Sequence, residues 1–166
     1  MVAMIRRHAV WLSLLPVLAV MVMIFCFSAE TGEKSGRTSD KIVRVAIELT
    51  QPDYERLPRQ EQARIHTRVS FSVRKLAHFT EFAMLGFALM LHVTVIGTRT
   101  RVRLPALWAL GGGVLYAVSD ELHQGLVSGR SPAALDVGID SLGVLCGLGV
   151  LCLILCLLKT KNIKEM

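Results

Sequence analysis

Cysteine is scarce in this chain of 166 residues, and its positions exclude the sites that cysteine usually builds. All four cysteines lie inside apolar runs and lack the spacing of metal ligands: Cys26, Cys146, Cys152 and Cys156. We predict neither a disulfide nor a zinc site. The four thiols are interpreted as small side chains that face lipid or the core.

Signatures of nucleic-acid binding and of common catalytic sites are also missing. The net charge is +6, but the Lys and Arg residues lie beside apolar runs instead of alternating with aromatic residues on one face. The order D-E-L-H at residues 120–123 is not the H-E-x-x-H pattern of zinc proteases, and no serine or cysteine lies in a recognisable nucleophile motif. The sequence therefore predicts no nucleic-acid partner, no metal and no other cofactor.

Apolar residues, in contrast, are abundant: 52% of the chain is hydrophobic and the mean hydropathy is +0.50. Four segments are long and apolar enough to cross about 30 Å of hydrocarbon. They cover residues 11–27, 76–96, 104–124 and 133–158. The third is the least apolar, and its three glycines at 111–113 would let a neighbouring helix approach closely. We predict an all-α integral membrane bundle of four transmembrane helices, with residues 1–166 forming one domain.

The N-terminal segment admits two interpretations. Its basic start and apolar stretch resemble a secretory signal, which would be cleaved. Residues 11–27 are longer than most signal cores, however, and no A-x-A site follows them. We favour a retained first transmembrane helix, in which Pro16 produces a bend.

A long polar segment, residues 28–75, separates the first two predicted transmembrane helices. It contains two amphipathic helical patterns, one with Ile42, Val45, Ala46 and Leu49 on a single face and one with Ile65, Val69 and Val73. Both patterns suit a surface-lying helix or a cap over the bundle. The second is expected to run directly into the second transmembrane helix.

Basic residues in three short segments predict the orientation in the membrane. They precede the first helix, fill the turn between the second and third, and follow the fourth: Arg6, Arg7, Arg99, Arg101, Arg103, Lys159, Lys161 and Lys164. With four crossings all three segments lie on one side. We predict a multi-pass protein of a bacterial-type plasma membrane with both termini in the cytoplasm.

Nine polar side chains from three distant segments converge at the outer end of this predicted bundle. RKLAHFTEF opens the second transmembrane helix, SDELHQ closes the third, and DVGID follows the start of the fourth, where Ser131 is the predicted N-cap and Pro132 the first helical residue. A charge facing lipid there would cost on the order of 3 kcal/mol, so these side chains should face one another or water. The candidates are His78, Glu81, Asp120, Glu121, His123, Gln124, Arg130, Asp136 and Asp140.

The same three motifs resemble the VanZ-like membrane protein family. The resemblance rests on RKLAHFTEFAMLG at 74–86, SDELHQ followed by Gly129 and Arg130, and DVGIDSLG at 136–143, with Phe27 and Ser28 similar to the opening of the family. It implies a small multi-span membrane protein. Some members are associated with resistance to the glycopeptide teicoplanin, but the family has no established biochemical activity, so the resemblance implies no catalytic residue.

Three functions fit the predicted cluster. The first is a pocket that binds a membrane lipid headgroup, an envelope precursor or a glycopeptide, with Arg130 contacting a phosphate or carboxylate. The second is a structural network in which His78 bonds Asp120, and Arg130 pairs with Asp136. The third is a membrane enzyme that uses His78 with Glu81, or His123 with Asp120, as acid and base. The sequence favours binding without catalysis and leaves the oligomeric state open.

Overall fold

The computed structural model describes the backbone of residues 2–100 and 104–164 and the side chains of residues 8–97 and 104–161. Within these ranges every regular element is a helix, which confirms the predicted all-α class. Its helices are α1 (Val2–Ser28), α2 (Gly32–Thr50), α3 (Arg59–Thr100), α4 (Pro105–Gln124) and α5 (Ala134–Lys164). A short 3-10 turn at Tyr54–Arg56 connects α2 to α3.

Three of the described helices are long and apolar enough to cross a membrane, whereas the sequence predicted four. The candidate spans are His8–Ser28, Arg59–Gly97 and Ala134–Lys161. The 20-residue helix α4 coincides with the predicted third segment but is not among them. The physical reason is its composition, because three consecutive glycines add little hydropathy and its last turns carry Asp120, Glu121 and Gln124.

Helices α3 and α5 run parallel. Helix α4 runs antiparallel to both, because Gly113 lies against Val144 whereas Glu121, further along α4, bonds Ala133 before the start of α5. Along α3, Lys75 pairs with Asp136, and Phe79 and Ala83 lie against Gly143 and Gly147 in turn, so contacts advance in the same direction on both helices. Helix α1 runs antiparallel to α3: Ser13 contacts His92, whereas Ser28 lies at the other end of the bundle beside Asp120.

Small residues bring α3 and α5 into backbone contact. A Cβ atom on Gly143 or Gly147 would overlap the backbone of α3 at Phe79 or Ala83, and one on Gly86 would overlap that of Val144. The Gly143/Gly147 pair therefore packs inside the bundle, as small residues at helix contacts in membrane proteins commonly do. Of the three glycines at 111–113, only Gly113 faces a neighbouring helix, at the Val144 side chain.

Helix α3 extends far beyond the membrane segment predicted at residues 76–96. It has 42 residues and is therefore about 63 Å long, roughly twice the hydrocarbon thickness. Its N-terminal part packs against α2, where His66 bonds Asp40, and against the 3-10 turn, where the Gln62 amide donates to the carbonyl of Tyr54. The predicted continuation of the second amphipathic pattern into the transmembrane helix is confirmed, and α2 with this part of α3 forms a helical hairpin.

The buried face of α2 differs from the predicted one. Val43 and Ile47 are buried against α3, whereas Ile42, Val45 and Leu49 are exposed. The predicted stripe was wrong by about one position because α2 contains more apolar residues than one face can hold. The packing partner, α3, decides which of them are buried.

The predicted orientation stays a prediction. The side chains of Arg6, Arg7, Arg99, Arg101, Arg103 and Lys164 lie outside the described residues. Lys159 and Lys161 are exposed near the end of α5.

Candidate functional site

A polar pocket of about 170 Å³ lies at the end of the bundle where α3, α4 and α5 come together. Six of the nine predicted candidates line it: His78, Glu121, Gln124, Arg130, Asp136 and Asp140. The convergence of three distant motifs predicted from the sequence is therefore present for these six. We refer to this cavity as the polar pocket.

Asp120 lies behind the polar pocket, where it joins α4 to α1. It is 3% exposed, and its Oδ2 accepts hydrogen bonds of 2.8 Å from both Ser28 Oγ and Gln124 Nε2. The amide of Gln124 also donates to Ser28 Oγ at 3.3 Å. This carboxylate is held by neutral donors and not by a cation.

Arg130 closes the pocket from the loop between α4 and α5. Its guanidinium donates to Gln124 Oε1 at 2.9 Å and to the carbonyl oxygens of Glu30 and Phe27 at 3.0 and 3.1 Å. Burial lowers the pKa of Arg130 from its ordinary value, but a guanidinium stays protonated in proteins. The preceding residue, Gly129, has a φ of 76°, a left-handed conformation that favours glycine.

The structural-network hypothesis pairs Arg130 with Asp136, but Asp136 has a different partner. Asp136 pairs with Lys75, so this ion pair connects the start of α5 to α3. The Lys75 ammonium also lies 5.0 Å from the centre of the Phe71 ring. Among the described side chains, Arg130 therefore bonds only neutral acceptors.

Glu121 holds the start of α5 in place. Its Oε1 accepts a hydrogen bond of 2.7 Å from the backbone N–H of Ala133. The predicted N-cap at Ser131 and first turn at Pro132 were wrong, because α5 begins at Ala134. This contact comes from a residue twelve positions away and fixes where α5 starts. The sequence around Ser131 therefore gave no sign of it. Asp140 accordingly lies about 9 Å along the helix from its first residue, Ala134.

His78, Asp120 and Asp140 approach one another from three different helices. Each offers one nitrogen or oxygen atom, and these three atoms lie within 4.8 Å of one another. Within the described part of the chain no hydrogen bond joins His78 to Asp120, so this contact of the structural-network hypothesis is also missing. The buried atoms His78 Nδ1 and Asp140 Oδ2 have no hydrogen-bond partner.

Glu81 and His123 do not line the polar pocket. The His123 ring stacks on Phe25 of α1, with ring centres 4.5 Å apart and planes 13° from parallel. Glu81 lines a second cavity of about 210 Å³, which shares Arg74, His78 and Arg130 with the polar pocket. Its apolar walls are Phe27, Ile42, Val73 and Ala77. We call this second cavity the side groove.

The sequence profile of the VanZ/LLP1 family matches residues 13–156. That range covers most of the chain and every residue of both cavities. The chain belongs to the VanZ/LLP1 family. No curated protein and no solved structure matches the sequence significantly.

The motifs that suggested VanZ/LLP1 membership surround the polar pocket. RKLAHFTE contributes Arg74, Lys75 and His78, and SDELHQ contributes Glu121 and Gln124. Gly129 and Arg130 come from the loop, whereas Asp136 and Asp140 come from DVGID. In this VanZ/LLP1 chain the motifs thus line the same pocket, although they lie on separate elements.

Sequence reasoning omitted Ser28, Arg74 and Lys75 from the candidate site of this VanZ/LLP1 protein. Arg74 precedes His78 by four residues and Lys75 precedes it by three, so helical spacing was a signal for both. Ser28 had two weaker signals, its place at the end of an apolar run and the similarity of Phe27 and Ser28 to the opening of the family. Its hydrogen bond to Asp120 spans 92 residues, and no local pattern reports such a contact.

Proposed function

We propose that this protein crosses a bacterial-type plasma membrane four times with both termini in the cytoplasm. The parallel arrangement of α3 and α5 supports this topology. If two successive spans point the same way, the chain has to return across the membrane between them, and α4 is the helix available. The basic residues at 99–103 and 159–164 then mark the cytoplasmic side. The polar pocket opens at the opposite, outer side.

At that outer side the protein binds the anionic headgroup of an envelope lipid. The observation that carries this proposal is the set of three cationic side chains around the polar pocket: Arg74, Lys75 and Arg130. Lys75 is neutralised by Asp136, but Arg130 donates only to neutral oxygens and an amide. A phosphate oxygen is a strong acceptor for such a guanidinium.

The volume of the polar pocket restricts the ligand. Cavities that enclose drug-sized molecules have about 300–1,000 Å³, whereas this one has about 170 Å³. It has room for a phosphate-sized group and a few waters, each of which occupies about 30 Å³. A whole glycopeptide is too large, so an effect on teicoplanin susceptibility would act through the bound lipid or precursor.

The side groove favours a lipid over a soluble anion. It adjoins the polar pocket through Arg74, His78 and Arg130, and its walls include the exposed side chains of Phe27 and Ile42. An amphipathic ligand would place its phosphate at the arginines and its hydrocarbon chain in the groove. Phosphate-bearing envelope lipids, including polyprenyl-linked precursors, have this chemistry.

Native mass spectrometry of the purified protein tests headgroup binding. Micelles would contain phosphatidylglycerol, a polyprenyl phosphate and diacylglycerol in equal amounts. We expect retention of the two phosphate-bearing lipids and not of diacylglycerol. Arg130→Ala should weaken that retention about tenfold or more, because a charged hydrogen bond is lost.

Two further variants separate binding from folding in this experiment. Arg74→Gln removes an exposed cation of the pocket without breaking a described contact, so it should weaken retention in a folded protein. Arg56→Gln, in the distant 3-10 turn, should behave as wild type. Equal retention of all three lipids would refute headgroup binding at the polar pocket, and so would wild-type retention in both pocket variants. The polar side chains would then have a structural role only.

A second candidate function is catalysis on the same headgroup. It is favoured by His78 Nδ1 and Glu81 Oε2, which are buried without partners at the two cavities. Incubation with envelope lipids and mass analysis of the products tests it. Turnover that Asp120→Asn abolishes in a folded protein would establish an enzyme, whereas unchanged lipids would favour binding alone.

A further inference from the structure

The side chains of His78, Asp120 and Asp140 form a compact set of potential metal ligands. They come from α3, α4 and α5, and one donor atom from each lies within 4.8 Å of the other two. The sequence predicted no metal because no ligand pair shows a recognisable spacing. Ligands that come from three separate helices have no fixed spacing in the sequence. The lack of a recognisable ligand spacing therefore does not argue against a metal site here.

A second observation points to a missing ligand at this set. Asp140 is 1% exposed, yet its Oδ2 has no hydrogen-bond partner, and neither has the buried Nδ1 of His78. Polar atoms removed from water without a partner are strongly unfavourable, and charged ones most of all. An ion bound between these side chains would give both of them a partner.

The charge balance favours a cation. Asp120 and Asp140 are buried side by side, and Glu81 carries a further unpartnered oxygen nearby. None of the ion pairs described in the structure reaches these three acids, because Lys75 pairs with Asp136 and Arg130 bonds neutral groups. Buried carboxylates without a cation in direct contact are stabilised by a proton or a bound cation.

Asp120 is positioned as a metal ligand usually is. Both of its hydrogen bonds, from Ser28 and Gln124, end on Oδ2. They orient the carboxylate and leave Oδ1 to coordinate an ion. Neutral donors that fix a ligating carboxylate in this way are a regular feature of metal sites.

We propose that His78, Asp120 and Asp140 bind a divalent cation of the Mn²⁺ or Zn²⁺ type. One imidazole and two carboxylates suit these ions better than Ca²⁺, which takes oxygen ligands. Three atoms bonded to one such ion at about 2.1 Å lie about 3.4 Å from one another in tetrahedral geometry. Donor atoms that are up to 4.8 Å apart would therefore each move inward by less than about 1 Å.

The ion would have a coordination position open to the polar pocket, because His78 and Asp140 are on its wall. A phosphate oxygen of the headgroup could occupy that position. This last step rests on the proposed function, but the metal site itself does not.

Metal titration of the full-length protein in nanodiscs tests the site. After treatment with a chelator, Mn²⁺ would be added, and the free ion measured by electron paramagnetic resonance, with Zn²⁺ as competitor. We expect a single ion per chain in the wild type. His78→Asn and Asp140→Asn should each weaken binding by at least about tenfold.

Matched variants elsewhere in the fold control for the loss of a histidine or an aspartate. His92→Asn alters another α3 histidine, which bonds Ser13, and Asp40→Asn alters an aspartate of α2. Both should bind Mn²⁺ as the wild type does. A wild type that binds no ion, or ligand variants that bind it normally, would overturn the proposal.

Two further measurements test the metal site if a ligand variant fails to fold, and distinguish metal binding from lipid binding. If Asp140→Asn does not fold, the chelator-treated wild type still has to gain thermal stability on addition of Mn²⁺ or Zn²⁺, and no gain would refute the site. Arg74→Gln should lose lipid retention while it keeps the metal. Failure of headgroup binding and failure of the metal site would thus be seen independently.

Discussion

Ser28 shows how one small residue determines the geometry of the pocket. Its side chain is fully buried at the end of α1, and its hydroxyl donates to Asp120 Oδ2 and accepts from Gln124. Because Gln124 in turn accepts from Arg130, the hydroxyl begins a chain of contacts from α1 to the loop before α5. A residue with no charge of its own therefore orients two functional candidates.

We predict that Ser28→Ala lowers the free energy of unfolding by about 2 kcal/mol, because a buried carboxylate loses one of its two donors. Unfolding in mixed micelles would measure the change. Ser119→Ala is the matched control, since Ser119 is exposed and bonds only the carbonyl of Tyr116 in its own helix. Equal effects of both substitutions would contradict the assigned role of Ser28.

At the scale of elements, the contact between α3 and α5 determines where the pocket residues meet. Gly143 and Gly147 let the two backbones touch, and Gly86 does the same from the side of α3. The Lys75–Asp136 pair lies a few turns away on the same two helices. A change in the distance between these helices would therefore move Asp140 relative to His78.

Gly147→Ala should destabilise the bundle by about 1–3 kcal/mol, because the new methyl group overlaps the carbonyl of Ala83. Gly149→Ala, where a Cβ meets nothing within 4 Å, should be neutral or slightly stabilising. Thermal unfolding in the same detergent compares the two. Similar melting temperatures for both variants would show that α3 and α5 are not in close contact.

The hairpin of α2 and α3 contains a pH-dependent contact. A hydrogen bond of 3.2 Å from His66 lowers the pKa of Asp40 below its ordinary value of 3.8, and Arg44 contributes less. Since the folded pKa is the lower one, the contact stabilises the hairpin above about pH 4. That stabilisation disappears as the pH falls through the lowered pKa.

We predict that His66→Ala raises the pKa of Asp40, which carboxyl carbon NMR would measure. Thr67→Ala, at the exposed neighbouring residue, should leave it unchanged. An Asp40 pKa that does not respond to the loss of His66 would exclude this hydrogen bond.

At the scale of the whole molecule, the number of crossings decides which side each end occupies. Four crossings place both termini on one side, whereas three crossings place them on opposite sides. The parallel directions of α3 and α5 favour four. The low hydropathy of α4 is then acceptable because its polar last turns face the protein interior.

Single cysteines at His8, Ser128 and Lys159, in a variant without Cys26, Cys146, Cys152 and Cys156, test the topology. We expect an impermeant thiol reagent to label position 128 in intact cells and positions 8 and 159 only after permeabilisation. Labelling of 8 and 159 from opposite sides would refute the crossing of α4.

Much of the fold was predictable because its signals are local. Apolar runs of the right length, helical periodicity and breaks at glycine, proline and polar clusters marked the helices, including the extension of the second amphipathic pattern into α3. The number of membrane crossings could not be derived from the apolar runs, because hydropathy alone does not decide whether α4 crosses the membrane. The prediction of the buried face of α2 was wrong by about one position, because the packing of α2 against α3 decides which of its apolar residues are buried.

By itself the sequence determined an all-helical membrane protein of the VanZ/LLP1 family and the set of polar residues near one end of the bundle. Only the tertiary structure decided their partners: Lys75 and not Arg130 for Asp136, Phe25 for His123, and Ala133 for Glu121. The physical reason is that each side chain direction depends on the rotation and depth of its helix. Those are set by backbone contacts at Gly86, Gly143 and Gly147, which join residues far apart in the chain.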